Sequence, residues 1–154
     1  MMKIEKRLND LGLTLPEPPS PMAAYVPYAF AGDLLFISGN GSNIAGLEKF
    51  VGKVGREYTI EQGYQAARQT GLNLIAQLKR ALGDLDRVER IVHLKGFVNC
   101  TDDFPDSPKV INGASELMVE VFGEAGRHSR SAIGVCALPA GMPVEIELVA
   151  KIKP

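Results

Sequence analysis

Ser129-Arg130-Ser131-Ala132-Ile133-Gly134-Val135-Cys136-Ala137-Leu138-Pro139, followed by Val144-Glu145-Ile146-Glu147-Leu148-Val149-Ala150-Lys151-Ile152, decides how this chain is read. Both stretches alternate at the period of two that a strand imposes. In the first, Ser131, Ile133, Val135 and Ala137 share one face, while Arg130, Ala132, Gly134, Cys136 and Leu138 share the other. In the second, Val144, Ile146, Leu148, Ala150 and Ile152 form the apolar face and Glu145, Glu147 and Lys151 the polar one. Pro139 and Gly141 mark the turn between them. If both apolar faces look toward one core, Arg130 and Glu145 look together out of the opposite side. A permanently charged fork in a strand needs a partner: either Glu145 or Glu147 across an exposed sheet, or a ligand.

Outward from this pair the pattern is mixed. Ile4, Leu8 and Leu11 space a helix over residues 3–11, and the Pro-rich run Pro16 to Pro21 separates it from the first strands. Tyr25 to Phe30 and Leu34 to Ser38 flank Ala31-Gly32-Asp33 as a hairpin. Gly39 to Tyr58 is glycine-rich and reads as a long irregular loop, with room for a short strand near Val51 to Val54. Thr59 with Gln62 has the form of a capping box, and Ile60, Tyr64, Ala67, Gly71, Leu74, Leu78 and Leu82 make one helical stripe. Arg90 to Asn99 alternates again, with Val92, Leu94 and Val98 inward and His93, Lys95, Phe97 and Asn99 outward. A last helix over Asp106 to Phe122 turns Val110, Ala114, Leu117, Met118 and Val121 to the core and tolerates Pro108 in its first turn. The order argues for an α+β domain whose mixed sheet carries its two main helices on one face. The other face, too apolar for solvent and too polar for a core, predicts a subunit interface.

With 154 residues, 45% hydrophobic and 23% charged, the chain fits a single domain over 1–154, of which 1–21 is an N-terminal helix plus Pro-rich extension. A net charge of -1 leaves no electrostatic footprint for nucleic acid. No apolar run is long enough for a membrane span, and the charged start Met1 to Arg7 lacks the form of a signal peptide, so a cytoplasmic location is expected. Cys100 and Cys136 have no metal-ligand spacing and are expected as buried, reduced thiols. Cys100 and His93, seven residues apart in one strand, point to opposite faces, which argues against a Cys-His nucleophile.

Arg130-Ser131, Leu138-Pro139, Val144-Glu145-Ile146-Glu147 and Ala150 together resemble the C-terminal signature of the reactive intermediate deaminase superfamily, also called the YjgF family. Ser38-Gly39, Asn73-Leu74, Gly83 to Val88, Asp103-Phe104 and Asn112 agree with it, over roughly Met22 to Pro154. The resemblance implies a chorismate mutase-like fold, a homotrimer with sites between subunits, and hydrolysis of 2-aminoacrylate-like enamines and imines to 2-keto acids and ammonia. It implies no cofactor and no metal. On this reading Arg130 anchors the carboxylate of a small metabolite. Glu145 is the general acid/base that positions water. Ser38 and Gly39 offer backbone amides, and Asn112 and Tyr25 line the pocket, with Tyr28 close enough to Tyr25 to compete for that place. The chain departs from the family in Ala132, where many deaminases have Cys, and in His128-Ser129, where Pro-Ala is common. The alternatives are a trimer that binds a 2-keto acid without turnover and, less well supported, an endoribonuclease using His93 and His128.

Overall fold

Thr59 begins the longest helix as the sequence requires. Its hydroxyl accepts from the Gln62 amide and the Gln62 side chain accepts from the Thr59 amide, closing the capping box before α2 (Ile60–Leu82). Gly83, at φ 72°, ends the helix in a left-handed cap. The computed structural model describes residues 3–18, 20, 23–43 and 50–154. Parts of the expected N-terminal extension and of the Gly39 to Tyr58 loop therefore lie outside the described residues.

The remaining elements are α1 (Lys3–Asp10), β1 (Tyr28–Ala31), β2 (Leu34–Gly41), β3 (Val88–Asn99), α3 (Ser107–Phe122), β4 (Ser129–Val135) and β5 (Val144–Ile152). The five strands form one sheet in the order β1-β2-β5-β3-β4. Among the described residues only strands β3 and β4 run parallel; the other strand pairs are antiparallel. α2 packs on β2 and β5, α3 on β3 and β4, and the helices pack on each other. Both main helices thus cover one face, and Leu35, Ile37, Leu74, Leu78, Leu94, Val98, Leu117, Met118, Ile146 and Leu148 fill the layer between. Among the described residues no helix is long and apolar enough to cross a membrane.

Three boundaries differ from expectation. β1 starts at Tyr28, because Pro27, whose carbonyl accepts from the Ser38 amide at 3.0 Å in the same register, has no N–H to return the bond. In β3, register shifts between Ile91 and His93, so Ile91 rather than Val92 enters the core. Near Val51 to Val54 no strand forms among the described residues; Val54 makes only isolated bridges to Tyr58 and Cys100. Cys100 is buried as expected, but Cys136, just beyond the end of β4, is exposed.

The N-terminal extension lies on the outer side of the helix layer. The Asp86 carboxylate accepts from the amides of Lys3 and Ile4 at 2.7 and 2.8 Å and so caps α1 from a distance in sequence. Leu8 is buried, Arg7 Nε donates to the Glu120 carbonyl at 2.9 Å, and Lys79 pairs with Glu5.

The close fit of the two main helices depends on Gly113. A Cβ there would lie 2.0 Å from the Tyr64 carbonyl oxygen and 3.0 Å from the Arg68 amide, backbone atoms that cannot swing aside. Gly113→Ala is expected to cost about 2 kcal/mol, or roughly 5 °C in Tm. A thermal melt showing no loss would mean that the helices separate freely.

Candidate functional site

Register decides where Arg130 points. Leu94, buried under the helices, is the lateral partner of Arg130 in β4 and of Leu148 in β5. Residues paired in this way share a face. Arg130 therefore projects to the helix side of the sheet. Glu145 pairs with Phe97, which alternates away from Leu94 through Lys95 and Gly96, and so it projects to the open side. The two residues do not look out of the same face, contrary to the expectation from pattern alone.

The reason lies in the edge strand. α3 crosses close to β4, where Ala132 packs partly against the core and Gly134 is backed by Cys100 and Ser107. Ala132 fits partly under the helix, and the larger side chains of β4, Ile133 and Val135, turn to the open face, Ile133 being 47% exposed. The apolar side of this strand is thus not its core side.

Arg130 reaches along α3 instead of toward an acid. Its Nη1 donates to Asn112 Oδ1 at 2.8 Å and to Ser115 Oγ at 3.1 Å, which uses both hydrogens of that nitrogen. Nε and Nη2, the edge that meets a carboxylate side-on through two parallel bonds, have no partner among the described residues. Neither Glu145 nor Glu147 pairs with the guanidinium; Glu147 pairs with Lys95 at 3.3 Å. Burial works against the charge and lowers the Arg130 pKa.

A cleft of about 560 Å³ opens beside this group, lined by α3, Arg127, His128 and Arg130. Its other charges are already engaged. Glu120 holds Arg68 through two bonds at 3.2 and 2.8 Å, Glu116 accepts from the Tyr64 hydroxyl at 2.5 Å, and Arg127 pairs with Glu124 at 3.1 Å. The hydrogen bond to Glu116 pushes the Tyr64 pKa up to about 12. Among the described residues Arg130 is the cation of the cleft without a carboxylate. Sequence reasoning missed Ser115, and it considered His128 only as a ribonuclease residue, not as a neighbour of Arg130. Ser115 stands three residues after Asn112, on the same helical face, and His128 two before Arg130, on the same strand side; these spacings were legible.

The other predicted residues gather on the opposite side. β2 bulges at Ser38-Gly39, since Ile37 pairs with Leu148 and Asn40 with Ile146. A Cβ at Gly39 would lie 2.3 Å from Glu145 Oε1, so the bulge leaves room for that carboxyl to rest on bare backbone. Burial first, and the Glu147 charge second, raise the Glu145 pKa above its ordinary value. The Ser38 amide is taken by Pro27 and its hydroxyl donates to the Val26 carbonyl at 2.7 Å. Ser38 thus ties down the segment carrying Tyr25, rather than offering its own amide to a ligand. Tyr25 is 54% exposed, whereas Tyr28 packs partly against the core with its ring edge-on to Phe30. Of the two tyrosines, Tyr25 is the exposed one. Asn112 and Arg130 form one group, and Ser38, Gly39 and Glu145 are separated from it by the sheet.

His93 and His128 are also divided. His93 lies on the open face, its Nδ1 2.8 Å from Ser129 Oγ, and His128 on the helix side against Ser115. They do not form an acid/base pair within one subunit.

Comparison with known proteins agrees with this architecture. Residues 5–151 match the family described as YjgF/chorismate mutase-like, putative endoribonuclease. The chain is 39% identical over 153 residues to Protein TCP17 of Trypanosoma cruzi, covering 97% of this chain and 94% of that one. The crystal structure of Atu1372 from Agrobacterium tumefaciens, a protein of unknown function, is 41% identical, with a TM-score of 0.90 over 97% of this chain and 92% of that one. A Shewanella oneidensis protein named as an endoribonuclease candidate is 39% identical, with a TM-score of 0.93 over 97% and 99% of the two chains. The signature around Arg130 and Glu145, the mixed sheet with its helices on one face, and these matches along nearly the whole length lead to one conclusion: this chain belongs to the YjgF family, the reactive intermediate deaminase superfamily.

Proposed function

We propose that this protein binds a small carboxylate-bearing imine or enamine and hydrolyses it to a 2-keto acid and ammonia, at sites completed between the subunits of a homotrimer. The observation that carries this reading is the guanidinium of Arg130: oriented by two neutral acceptors, unpaired with any described acid, and presenting its bidentate edge to a cleft. A carboxylate fits that edge in geometry and charge.

The division of the site by the sheet supports the oligomer. Within one subunit Glu145 cannot serve Arg130, but β4 is an edge strand, and Phe36 and Ile133 on the open face remain exposed. A neighbour docking its open face, bearing Glu145, Gly39 and Tyr25, along that edge would bring the two groups together around one cleft. In a closed ring each interface then holds one complete site.

The chemistry is cofactor-free on this reading. With its carboxylate on Arg130, an imine receives the oxygen of a water molecule at carbon and a proton at nitrogen. The resulting carbinolamine forms its carbonyl as the C–N bond breaks and ammonia leaves. Glu145, poised by burial to exchange a proton nearer neutrality, takes the proton from water and delivers it to the departing nitrogen. An enamine first accepts a proton at carbon. The separated histidines and the net charge of -1 weigh against the ribonuclease reading.

A pyridoxal-phosphate dehydratase acting on serine supplies 2-aminoacrylate, and pyruvate formation reports turnover. The wild type is expected to accelerate it, Arg130→Ala to abolish the acceleration, and Glu145→Gln to slow it about 10²- to 10⁴-fold while keeping pyruvate binding. Arg130-dependent binding of pyruvate without any acceleration would make the protein a 2-keto acid binding trimer instead. Co-refolding the two variants in equal amounts tests the shared site. Half the subunits carry each intact residue, so about a quarter of the interfaces recover both, and a similar fraction of activity should return. No recovery, or a monomer mass by light scattering, would overturn the shared site.

Stability gives an independent check. A half-buried guanidinium without an acid costs folding energy, so Arg130→Met is expected to match or exceed the wild type by up to roughly 3 °C in Tm. A large drop would identify the arginine as a structural pin.

A further inference from the structure

His128 stands just before β4, and its ring is held at both nitrogens. Nδ1 lies 2.7 Å from the Gly126 carbonyl oxygen, which can only accept, so Nδ1 carries a hydrogen. In the neutral ring Nε2 is then a lone pair, and it accepts from the Ser115 hydroxyl at 2.9 Å. Ser115 Oγ in turn accepts from Arg130 Nη1 at 3.1 Å. The empty site therefore holds a directed chain of hydrogen bonds from the guanidinium, through Ser115 and the imidazole, to the backbone. Burial, then the charges of Arg130 and His93, disfavour the imidazolium, although the Gly126 carbonyl favours it; the net shift is downward.

We infer that His128 is a positioning residue that takes up a proton when a carboxylate occupies the free edge of Arg130, so that ligand binding and protonation of this ring strengthen each other. This role for His128 rests on the carboxylate reading of the Arg130 cleft. A bound anion offsets the Arg130 charge that opposes the imidazolium. Protonation turns Nε2 into a donor, and Ser115 can accept from both Nε2 and Nη1, because its oxygen has two lone pairs. Its own hydrogen is then released from the ring and can swing into the cleft toward a carboxylate oxygen. Empty, the hydroxyl points inward; occupied, it becomes a further donor to the ligand.

The surrounding charges leave this coupling intact. On α3, Glu116 and Glu120 are held by Tyr64 and Arg68, and Arg127, next to His128, is held by Glu124. His93 lies across the sheet on β3, bonded to Ser129. The other group that could take up a proton on binding is Glu145, brought to the cleft by the neighbouring subunit, and the test separates it.

Calorimetric titration of the full-length protein with pyruvate, at about pH 6 in two buffers of different ionisation enthalpy, counts the protons taken up. The expected result is roughly half a proton per site for the wild type and for Glu145→Gln, and close to none for His128→Gln, whose amide bonds Ser115 but does not titrate. Affinity of the wild type should rise about three- to tenfold from pH 8 to pH 6, and that of His128→Gln should stay level. NMR of the His128 ring should show its pKa rising when pyruvate is added, a readout that needs no variant. Pyruvate bound without proton uptake, or uptake retained in His128→Gln, would overturn this inference and leave the carboxylate reading standing. Absence of pyruvate binding at both pH values would overturn both.

Discussion

The close crossing of α3 over the edge strand β4 is the constraint on which the rest of the site depends. Ala132 packs partly beneath the helix, Gly134 stays exposed on the same side with Cys100 Sγ where a Cβ would go, and the larger Ile133 and Val135 turn away. Alternation then sends Arg130 to the helix side, where the Asn112 and Ser115 side chains on α3 meet it. A charged group placed there loses water without gaining an acid, an arrangement that folding alone does not favour. Neutral acceptors orient the guanidinium and leave its charge available. The same packing that fixes the strand thus also orients a cation that no described carboxylate pairs with.

The sheet itself divides the chemistry. On its far side the bulge at Ser38-Gly39 bares the backbone of β2, and the Glu145 carboxyl rests against it. Ser38 spends its hydroxyl and amide on the segment that carries Tyr25, which keeps that ring free of the core. Each side is complete as a structural unit, and on the proposed reading each holds only part of the reaction site. One sheet lies between the Arg130 group and the Glu145 group of a chain, and on the proposed reading a rotated copy brings together what the sheet separates. This accounts for the mixed polarity of the open face, where Phe36 and Ile133 stay exposed beside Lys95 and Glu147.

The described part of the N-terminal extension is tied to the body of the fold. Asp86, at the turn after α2, caps α1, and the leucines of the extension pack on the outer side of the helices. Its position at the C-terminal end of α3 steadies the helix that carries Asn112 and Ser115, because Arg7 holds the Glu120 carbonyl.

Much of this was legible in the sequence. The capping box at Thr59, the stripes of α2 and α3, the hairpin around Gly32 and the alternation of β5 obey short-range rules, and the observed elements keep to them. The residue types of the site were legible too, since Arg130, Asn112, Glu145 and Ser38-Gly39 stand in a recognisable pattern. What the sequence could not determine was which way β4 faces. Period-two alternation defines two sides of a strand but not which side is inward, and in β4 the usual rule, larger apolar residues inward, is reversed by the crowding of α3. That one reversal moved Arg130 across the sheet from Glu145, supplied Ser115 and His128 as its neighbours, and made the distance between the two half-sites a property of tertiary packing alone.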